Sequence, residues 1–148
     1  MTVALPPEIA TLFRRGTAIP AMPLALTAER RFDERHQRAL LRYYIDAGVG
    51  GIAVGVHSTQ FEIRDPDCGL FQPVLAFAAR EIDAYAASRG ATIIKVAGVC
   101  GRTPQARAEA GFAANHGYHA ALVSLAAWRD EPLPELVNHC AAIAEIMP

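Results

Sequence analysis

The stretch Gly50-Gly51-Ile52-Ala53-Val54-Gly55-Val56-His57-Ser58-Thr59-Gln60 decides the fold class of this chain. It opens with two glycines, continues through small or apolar residues without polar alternation, and turns polar at His57. A run of this kind is typical of a central strand in a parallel sheet, because both faces of such a strand are buried. The sequence therefore predicts an α/β protein built around this strand.

The polar residues that follow the run, His57, Ser58 and Thr59, are the first candidates for a functional site. Parallel α/β folds place their ligands beyond the carboxyl ends of their strands, and these residues fall at that position. A second interpretation stays open, in which the loop enters a helix and its hydroxyl groups only cap backbone N–H groups.

The composition is that of one ordinary globular domain. The chain has 148 residues, of which 52% are hydrophobic and 20% are charged, so it can bury a substantial core. Its formal net charge of −1 offers no basic surface for nucleic acid or for an acidic membrane. The start of the chain lacks the pattern of a signal peptide, and no apolar run is long enough to span a bilayer. We therefore expect a cytoplasmic protein with no nucleic-acid or membrane partner.

The residue types that commonly bind metals or nucleotides form no specific motif. Cysteines at positions 68, 100 and 140 have no CxxC spacing, which argues against a disulfide framework and a structural zinc site. His116 and His119 lack a third ligand at suitable spacing, and the acidic residues within 62–67 favour a turn over a cation site. There is neither a GxGxxG nor a Walker motif. We expect no metal and no cofactor.

Strands and helices are predicted to alternate along residues 17–148, after a lead-in segment over residues 1–16 that contains a turn or two of helix. The predicted strands are 19–26, 51–56, 92–99 and 120–124, and the predicted helices are 33–47, 72–88, 103–115 and 134–146. This order predicts a parallel sheet with right-handed crossovers. Two architectures fit it: the first half of a (β/α)8 barrel, whose units have about this length, and a small doubly wound sandwich.

Local signals mark the ends of the predicted helices. Asp33 is the predicted N-cap of the first, and Thr103, followed by a proline, is the predicted N-cap of the third. Gly48 and Gly90 are predicted to end the first and second helices as C-cap glycines.

Four phrases carry a resemblance to a known family. They are Ala-Gly-Val-Gly-Gly-Ile-Ala-Val-Gly at 47–55, Val-Ala-Gly-Val-Cys-Gly-Arg-Thr at 96–103, His-Ala-Ala-Leu-Val at 119–123, and His-Cys-Ala-Ala-Ile-Ala-Glu at 139–145. In order and spacing, from Ile19 to the end, the chain resembles the dihydrodipicolinate synthase and N-acetylneuraminate lyase family of pyruvate-dependent barrels. The resemblance implies the amino-terminal half of a (β/α)8 barrel.

The resemblance also implies a chemistry and a partner class. Members of the family form or cleave a carbon–carbon bond through a Schiff base between pyruvate and a lysine of the sixth strand, assisted by a tyrosine of the fifth strand, and they commonly form homo-oligomers. Such a lysine needs surroundings that lower the pKa of its amine. Both residues would lie beyond the end of this chain, so the fragment alone is expected to be inactive. Lys95, on the third predicted strand, is expected to be a layer-filling or snorkelling residue.

The resemblance assigns a substrate site to the residues after the second and later strands. Val56 and His57 replace two threonines that bind the pyruvate carboxylate in the family, and Ser58-Thr59 replace the glycine and glutamate that follow. Cys100 and Trp128 are expected to form walls of the site. Trp128 takes the position nearest to a family tyrosine, but its indole only donates and cannot relay a proton.

Two alternatives to the lyase remain open. The chain could be a non-catalytic half-barrel module that self-associates through its open first and fourth strands, or that binds a small carboxylic acid. A Cys100–His57 nucleophile pair is a weaker alternative, because nothing beside Cys100 in the sequence suggests a lowered thiol pKa.

Overall fold

The computed structural model describes residues 4–148. Five helices are present in this range: α1 (Pro7–Arg15), α2 (Glu34–Asp46), α3 (Phe71–Arg89), α4 (Thr103–Asn115) and α5 (Leu133–Ala144). Three strands, β1 (Gly51–Val54), β2 (Ile94–Val99) and β3 (Ala120–Val123), form a parallel sheet in the order β1-β2-β3. Short 3-10 turns lie at His57–Thr59, Phe61–Arg64 and Ala126–Trp128. The prediction of a parallel α/β protein is confirmed.

The segment predicted as the first strand lies beside β1 without forming a regular strand. Its backbone makes three hydrogen bonds with the β1 region, from Gly50 N to Ala18 O, from Ala53 N to Pro20 O and from Met22 N to Ala53 O. Within the described residues it forms two isolated bridges, a parallel one from Ala21 to Ala53 of β1 and an antiparallel one from Leu26 to Phe32. Proline has no N–H to donate, so Pro20 and the nearby Pro23 prevent a continuous ladder. The described part of the chain therefore has three regular strands and one parallel bridge.

One face of the sheet, which we call the outer face, carries the main core; the opposite face is the inner face. Outward-facing residues such as Ile52, Val54, Ala97 and Val99 belong to one buried cluster with side chains of α2, α3, α4 and α5. Because all four crossover helices pack on this one face, the doubly wound sandwich, which needs its crossover helices divided between both faces, does not fit.

The inner face is covered mainly by α1. Ile9 and Leu12 of this helix form a second, smaller cluster with inward-facing residues of β1 and β2, among them Ala53, Ile94 and Val96. Nearer β3 the inner face is open, and an apolar groove of about 350 Å³ runs from Phe13 across the sheet to Leu122. The described part of the lead-in segment thus contains one helix, α1, which packs on the sheet.

The helix-end predictions are partly confirmed. The Asp33 side chain accepts the backbone N–H of His36 at 3.0 Å and caps α2, and Gly90 ends α3 in the left-handed conformation. Gly48, with φ of 84°, follows the end of α2. The N-cap assignment of Thr103 is wrong, because Thr103 is the first residue of α4 and its hydroxyl lies against a histidine of α5 instead.

Among the residues described, no helix is both long and apolar enough to cross a membrane.

Candidate functional site

The loops at the carboxyl ends of β1, β2 and β3 lie at one end of the sheet, because the three strands are parallel. We call residues 55–60, 100–103 and 124–128 the rim. All the residues that the sequence singled out as substrate contacts fall on the rim, and each is described below.

The first rim loop turns away from β1 at Gly55, whose φ of 77° is a conformation that residues with a Cβ rarely adopt. Val56 is buried and joins the inner-face cluster. His57 is exposed, and its Nε2 lies 3.3 Å from the hydroxyl of the half-buried Ser58. These two side chains therefore offer a polar pair that solvent, or a ligand, can reach.

Thr59 is fully buried and its hydroxyl is already bonded. It donates to the backbone carbonyl of Met22 at 2.6 Å and accepts the backbone N–H of Gly55 at 3.1 Å. These bonds tie the first rim loop to the segment beside β1. In this arrangement Thr59 holds the shape of the loop, and its hydroxyl would have to give up a protein bond to contact a ligand.

Cys100 begins the second rim loop. Its backbone N–H donates to Glu109 Oε2 at 3.1 Å, and its side chain is half-buried. Burial raises the pKa of the Cys100 thiol, although the nearby Arg64 guanidinium opposes that rise. The reactive form of cysteine is the thiolate, so a raised pKa argues against the nucleophile pair with His57.

Trp128, in the third rim loop, is buried in a stack of side chains. Its indole N–H donates to Gly101 O at 3.1 Å, the Arg102 guanidinium lies 4.6 Å from its ring on one side, and the His139 ring lies 4.5 Å away. The ring is 9% exposed, so it joins the second and third rim loops rather than standing free at the mouth of the site.

A buried ion pair beneath the rim was not predicted from the sequence. Arg64 Nε lies 2.9 and 3.0 Å from the two carboxylate oxygens of Glu109, and each side chain is 8% exposed. Arg64 Nη2 donates to Gly98 O at 2.9 Å, and its guanidinium stacks 4.4 Å from the Phe71 ring. The pair fastens the β1–α3 loop to the end of β2 and to α4. Its partners are 45 residues apart, and no local pattern links them.

An open cleft of about 710 Å³ lies beside this ion pair, on the helical side of the rim. Its walls come from the loop around Asp65, from Phe71 and Gln72 at the start of α3, and from Gln105 and Glu109 of α4. The cleft and the inner-face groove are distinct spaces with no lining residue in common.

Lys95 faces away from the inner side of the sheet. Its side chain is 4% exposed, and its ammonium lies 2.6 Å from both carboxylate oxygens of Asp83 on α3. The stem is buried and the charge reaches a partly exposed carboxylate, as expected of a snorkelling residue. An amine that is paired with a carboxylate on this face is not placed to attack a substrate at the rim.

The other polar residues considered in the sequence have structural contacts. Asp65 accepts the backbone N–H of Asp67 at 2.9 Å, which confirms the turn. His116 Nδ1 lies 2.8 Å from Phe112 O, and His119 Nδ1 accepts the backbone N–H of Lys95 at 3.0 Å. Over residues 4–148, no group of three or more potential ligand side chains could hold a metal ion.

Sequence comparisons return no relative: no protein-family model matches the chain, and neither does any curated protein. Solved structures do match. The chain is similar to dihydrodipicolinate synthase from Aquifex aeolicus, with 24% identity, a TM-score of 0.71, and coverage of 89% of this chain and 43% of the other. It is also similar to YagE, a prophage protein of the dihydrodipicolinic acid synthase family from E. coli K12 in complex with pyruvate (18% identity, TM-score 0.75, coverage 88% and 42%).

A third match is N-acetylneuraminate lyase from Fusobacterium nucleatum, with 16% identity, a TM-score of 0.69, and coverage of 88% of this chain and 43% of the other. The chain thus spans about two fifths of the length of these structures. At these identities the likeness concerns the fold. The family resemblance found in the sequence is confirmed at that level: this chain has the fold of one part of a barrel of the dihydrodipicolinate synthase and N-acetylneuraminate lyase family.

Proposed function

We propose that this chain forms the carboxylate-binding part of a lyase or synthase that makes or breaks a carbon–carbon bond through a lysine–pyruvate Schiff base. The observation that carries the proposal is the position of His57 and Ser58. They form a polar pair at the carboxyl end of β1, in a fold shared with a pyruvate-bound structure. Parallel barrels place their active sites at this end of the strands.

The first rim loop supplies the groups that a 2-oxo acid would need. A carboxylate is bound by charge-assisted hydrogen bonds, and the His57 imidazole, the Ser58 hydroxyl and the backbone N–H groups of the loop can donate them. Val56 gives the apolar floor. Cys100 and Trp128 form the walls in this proposal, with Trp128 acting through the shape of its loop. Thr59 serves by holding the loop in place.

Under this proposal the Schiff-base lysine lies in a part of the barrel outside this sequence, and these 148 residues alone do not catalyse the reaction. Lys95 is the only lysine in the chain, and it is paired with Asp83 on the outer face. A homo-oligomer and a cytoplasmic location remain predictions that accompany the proposal.

Borohydride trapping tests the placement of the lysine. The chain is incubated with pyruvate, reduced, and its intact mass is measured beside that of a Lys95→Arg variant. We expect no pyruvate-sized increase in mass on a side chain. An increase that is present in the unaltered chain and absent from Lys95→Arg would place a Schiff base on Lys95 and overturn the assignment.

Titration with pyruvate tests the carboxylate site itself. Backbone amide resonances of residues 55–59 should shift as pyruvate is added, and the shifts should weaken in His57→Ala and Ser58→Ala. Ser88→Ala, at the far end of α3, is the matched control and should titrate like the unaltered chain. Shifts confined to other regions, or equal in all variants, would exclude the rim loop as the binding site.

A non-catalytic, self-associating half-barrel is the second candidate. It is favoured by the apolar residues exposed at and beside β3, namely Leu122, Leu125, Leu133 and Val137. Light scattering of the isolated chain separates the two candidates: a stable dimer that binds no pyruvate supports the module, and a monomer that binds pyruvate supports the lyase part.

A further inference from the structure

The second and third rim loops are joined by one stack of side chains, in which Trp128 and His139 are buried and Arg102 is exposed. The His139 ring packs 4.5 Å from Trp128, whose other neighbour is Arg102 at 4.6 Å. His139 lies on α5 and is 1% exposed, and its Nδ1 lies 2.9 Å from the hydroxyl of Thr103, the first residue of α4. One imidazole thus touches both loops, by stacking on one and by a hydrogen bond to the other.

The surroundings of this imidazole fit its neutral form. The Thr103 hydroxyl satisfies Nδ1, whereas Nε2 is buried and finds no hydrogen-bond partner within residues 4–148. In the neutral ring with the proton on Nδ1, the buried Nε2 is only an unused acceptor. In the charged ring Nε2 carries a proton as well, and a buried donor without an acceptor is costly.

Of the charges around the stack, the one that acts on His139 is the Arg102 guanidinium, and it acts in the same direction. The charged group that faces His139 from the second rim loop is Arg102, which is held by an ion pair with Glu131 at 2.6 Å. On α5 itself, Glu135 lies one turn earlier and is exposed to solvent. The nearest charge therefore has the same sign as an imidazolium and opposes its formation.

We propose that neutral His139 is a positioning residue that clamps Trp128 and Thr103 together, and that protonating it releases the third rim loop from the second. This clamp does not depend on which reaction the protein takes part in. It bears on the proposed function because Trp128 is one of the proposed walls, so release of the clamp would reshape the rim.

The direction of the pH effect follows from the burial. Desolvation, with the Arg102 charge as a smaller contribution, lowers the pKa of His139 below its ordinary value of 6.5. Between the lowered value and 6.5 the unfolded chain binds more protons at this site than the folded chain, so acid weakens the folded arrangement. The clamp is complete above about pH 6.5 and weakens as the pH falls below that value.

The chain carries its own reporter for this event, because Trp128 is its only tryptophan. An imidazolium in contact with an indole quenches its fluorescence, and an indole that leaves a buried stack emits at longer wavelength. Emission of the full chain, recorded between pH 8 and the acid limit of folding, should show one transition with a midpoint below 6.5. Circular dichroism on the same samples identifies the range in which the helices persist.

Three variants decide the assignment. His139→Phe keeps an aromatic stack without a titrating group and should give a flat profile, whereas His57→Ala, a rim histidine outside the stack, should keep the transition. Arg102→Met removes the like charge and should move the midpoint up towards 6.5. The proposal is overturned if the unaltered chain shows no transition while folded, or if His139→Phe retains it. It is also overturned if the midpoint in Arg102→Met stays unchanged or falls, a result that remains informative should His139→Phe not fold.

Discussion

The outer and inner faces of the sheet are covered to very different extents. Four helices close the outer face, where Ile52 and Val54 have no exposed surface. On the inner face α1 covers part of β1 and β2, and Leu122 of β3 remains 56% exposed. The difference teaches that the fold is held mainly from its outer face, and that the spare apolar surface lies on the inner face.

Side-chain size explains part of the difference. Several inward-facing positions hold small residues, among them Gly51, Ala53 and Gly98, which limits the area that α1 can bury at those positions. Gly98 has a further reason to be small, because a Cβ there would collide with the backbone of Gly55, the residue that follows β1. Hydrophobic stabilisation scales with buried apolar area, so the inner face contributes less.

The largest loss of stability is expected at the Arg64–Glu109 pair, which fastens the rim of the sheet. Arg64→Met leaves the Glu109 carboxylate buried without its counter-charge and should lower the free energy of unfolding by about 3–5 kcal/mol. Arg89→Met, which breaks the exposed pair with Asp46, is the control and should lower the free energy of unfolding far less, because solvent screens this pair. Urea unfolding of both variants measures the difference between their losses of stability. Equal losses would mean that the pair beneath the rim is not buried in solution.

On the outer face, Leu75→Ala should lower the free energy of unfolding by about 2–5 kcal/mol, because it leaves a cavity in the fully buried cluster. The slope of the urea dependence should stay unchanged, since the same surface is exposed on unfolding. A loss below about 1 kcal/mol would show that the outer core repacks easily and would weaken the comparison.

On the inner face, Ile9→Ala removes a side chain of α1 that is only 3% exposed. We expect a smaller loss than for Leu75, about 1–3 kcal/mol, because one helix covers this face and can settle into the space. Arg14→Ala, on the exposed side of the same helix, should change stability by less than about 0.5 kcal/mol. If Ile9→Ala proved as costly as Leu75→Ala, the two faces would be equally well held.

The smallest effect on stability is expected at Leu122, on the open part of the inner face. Leu122→Gln should change the free energy of unfolding by less than about 0.5 kcal/mol, because the side chain is already largely in water. Light scattering should show less association of the variant at high concentration, since an exposed apolar residue has been removed. A marked loss of stability would mean that Leu122 is covered in solution.

Much of the fold could be predicted because its signals are local. The β-branched run of β2, the Asp33 cap and the Gly90 end of α3 depend only on neighbouring residues, and the structure agrees with each. The apolar pattern predicted a regular first strand at 19–26. Pro20 has no backbone N–H to donate to a neighbouring strand, and this outweighs the apolar pattern.

The interior of the site was harder to predict from the sequence, because its contacts join distant parts of the chain. Thr103 looks like an N-cap from its neighbours, but the structure gives its hydroxyl to His139, 36 residues later. Arg64 and Glu109 meet only after two helices and a strand have packed. The sequence predicted the loop that carries His57 and Ser58 because it directly follows a strand. The ligand of this loop could not be predicted in the same way, because it depends on residues outside the loop.

The single lysine has a consequence for the chemistry that can be done to this protein. Lys95 is the only side-chain amine among 148 residues, and it lies 96% buried in an ion pair with Asp83. Reagents and enzymes that recognise lysine, from amine-directed dyes and cross-linkers to acetyl- and ubiquitin-transferring enzymes, would find no accessible side chain on the folded chain. An amine-directed label should therefore leave Lys95 unmodified until the protein unfolds, and reaction at Lys95 would report that unfolding.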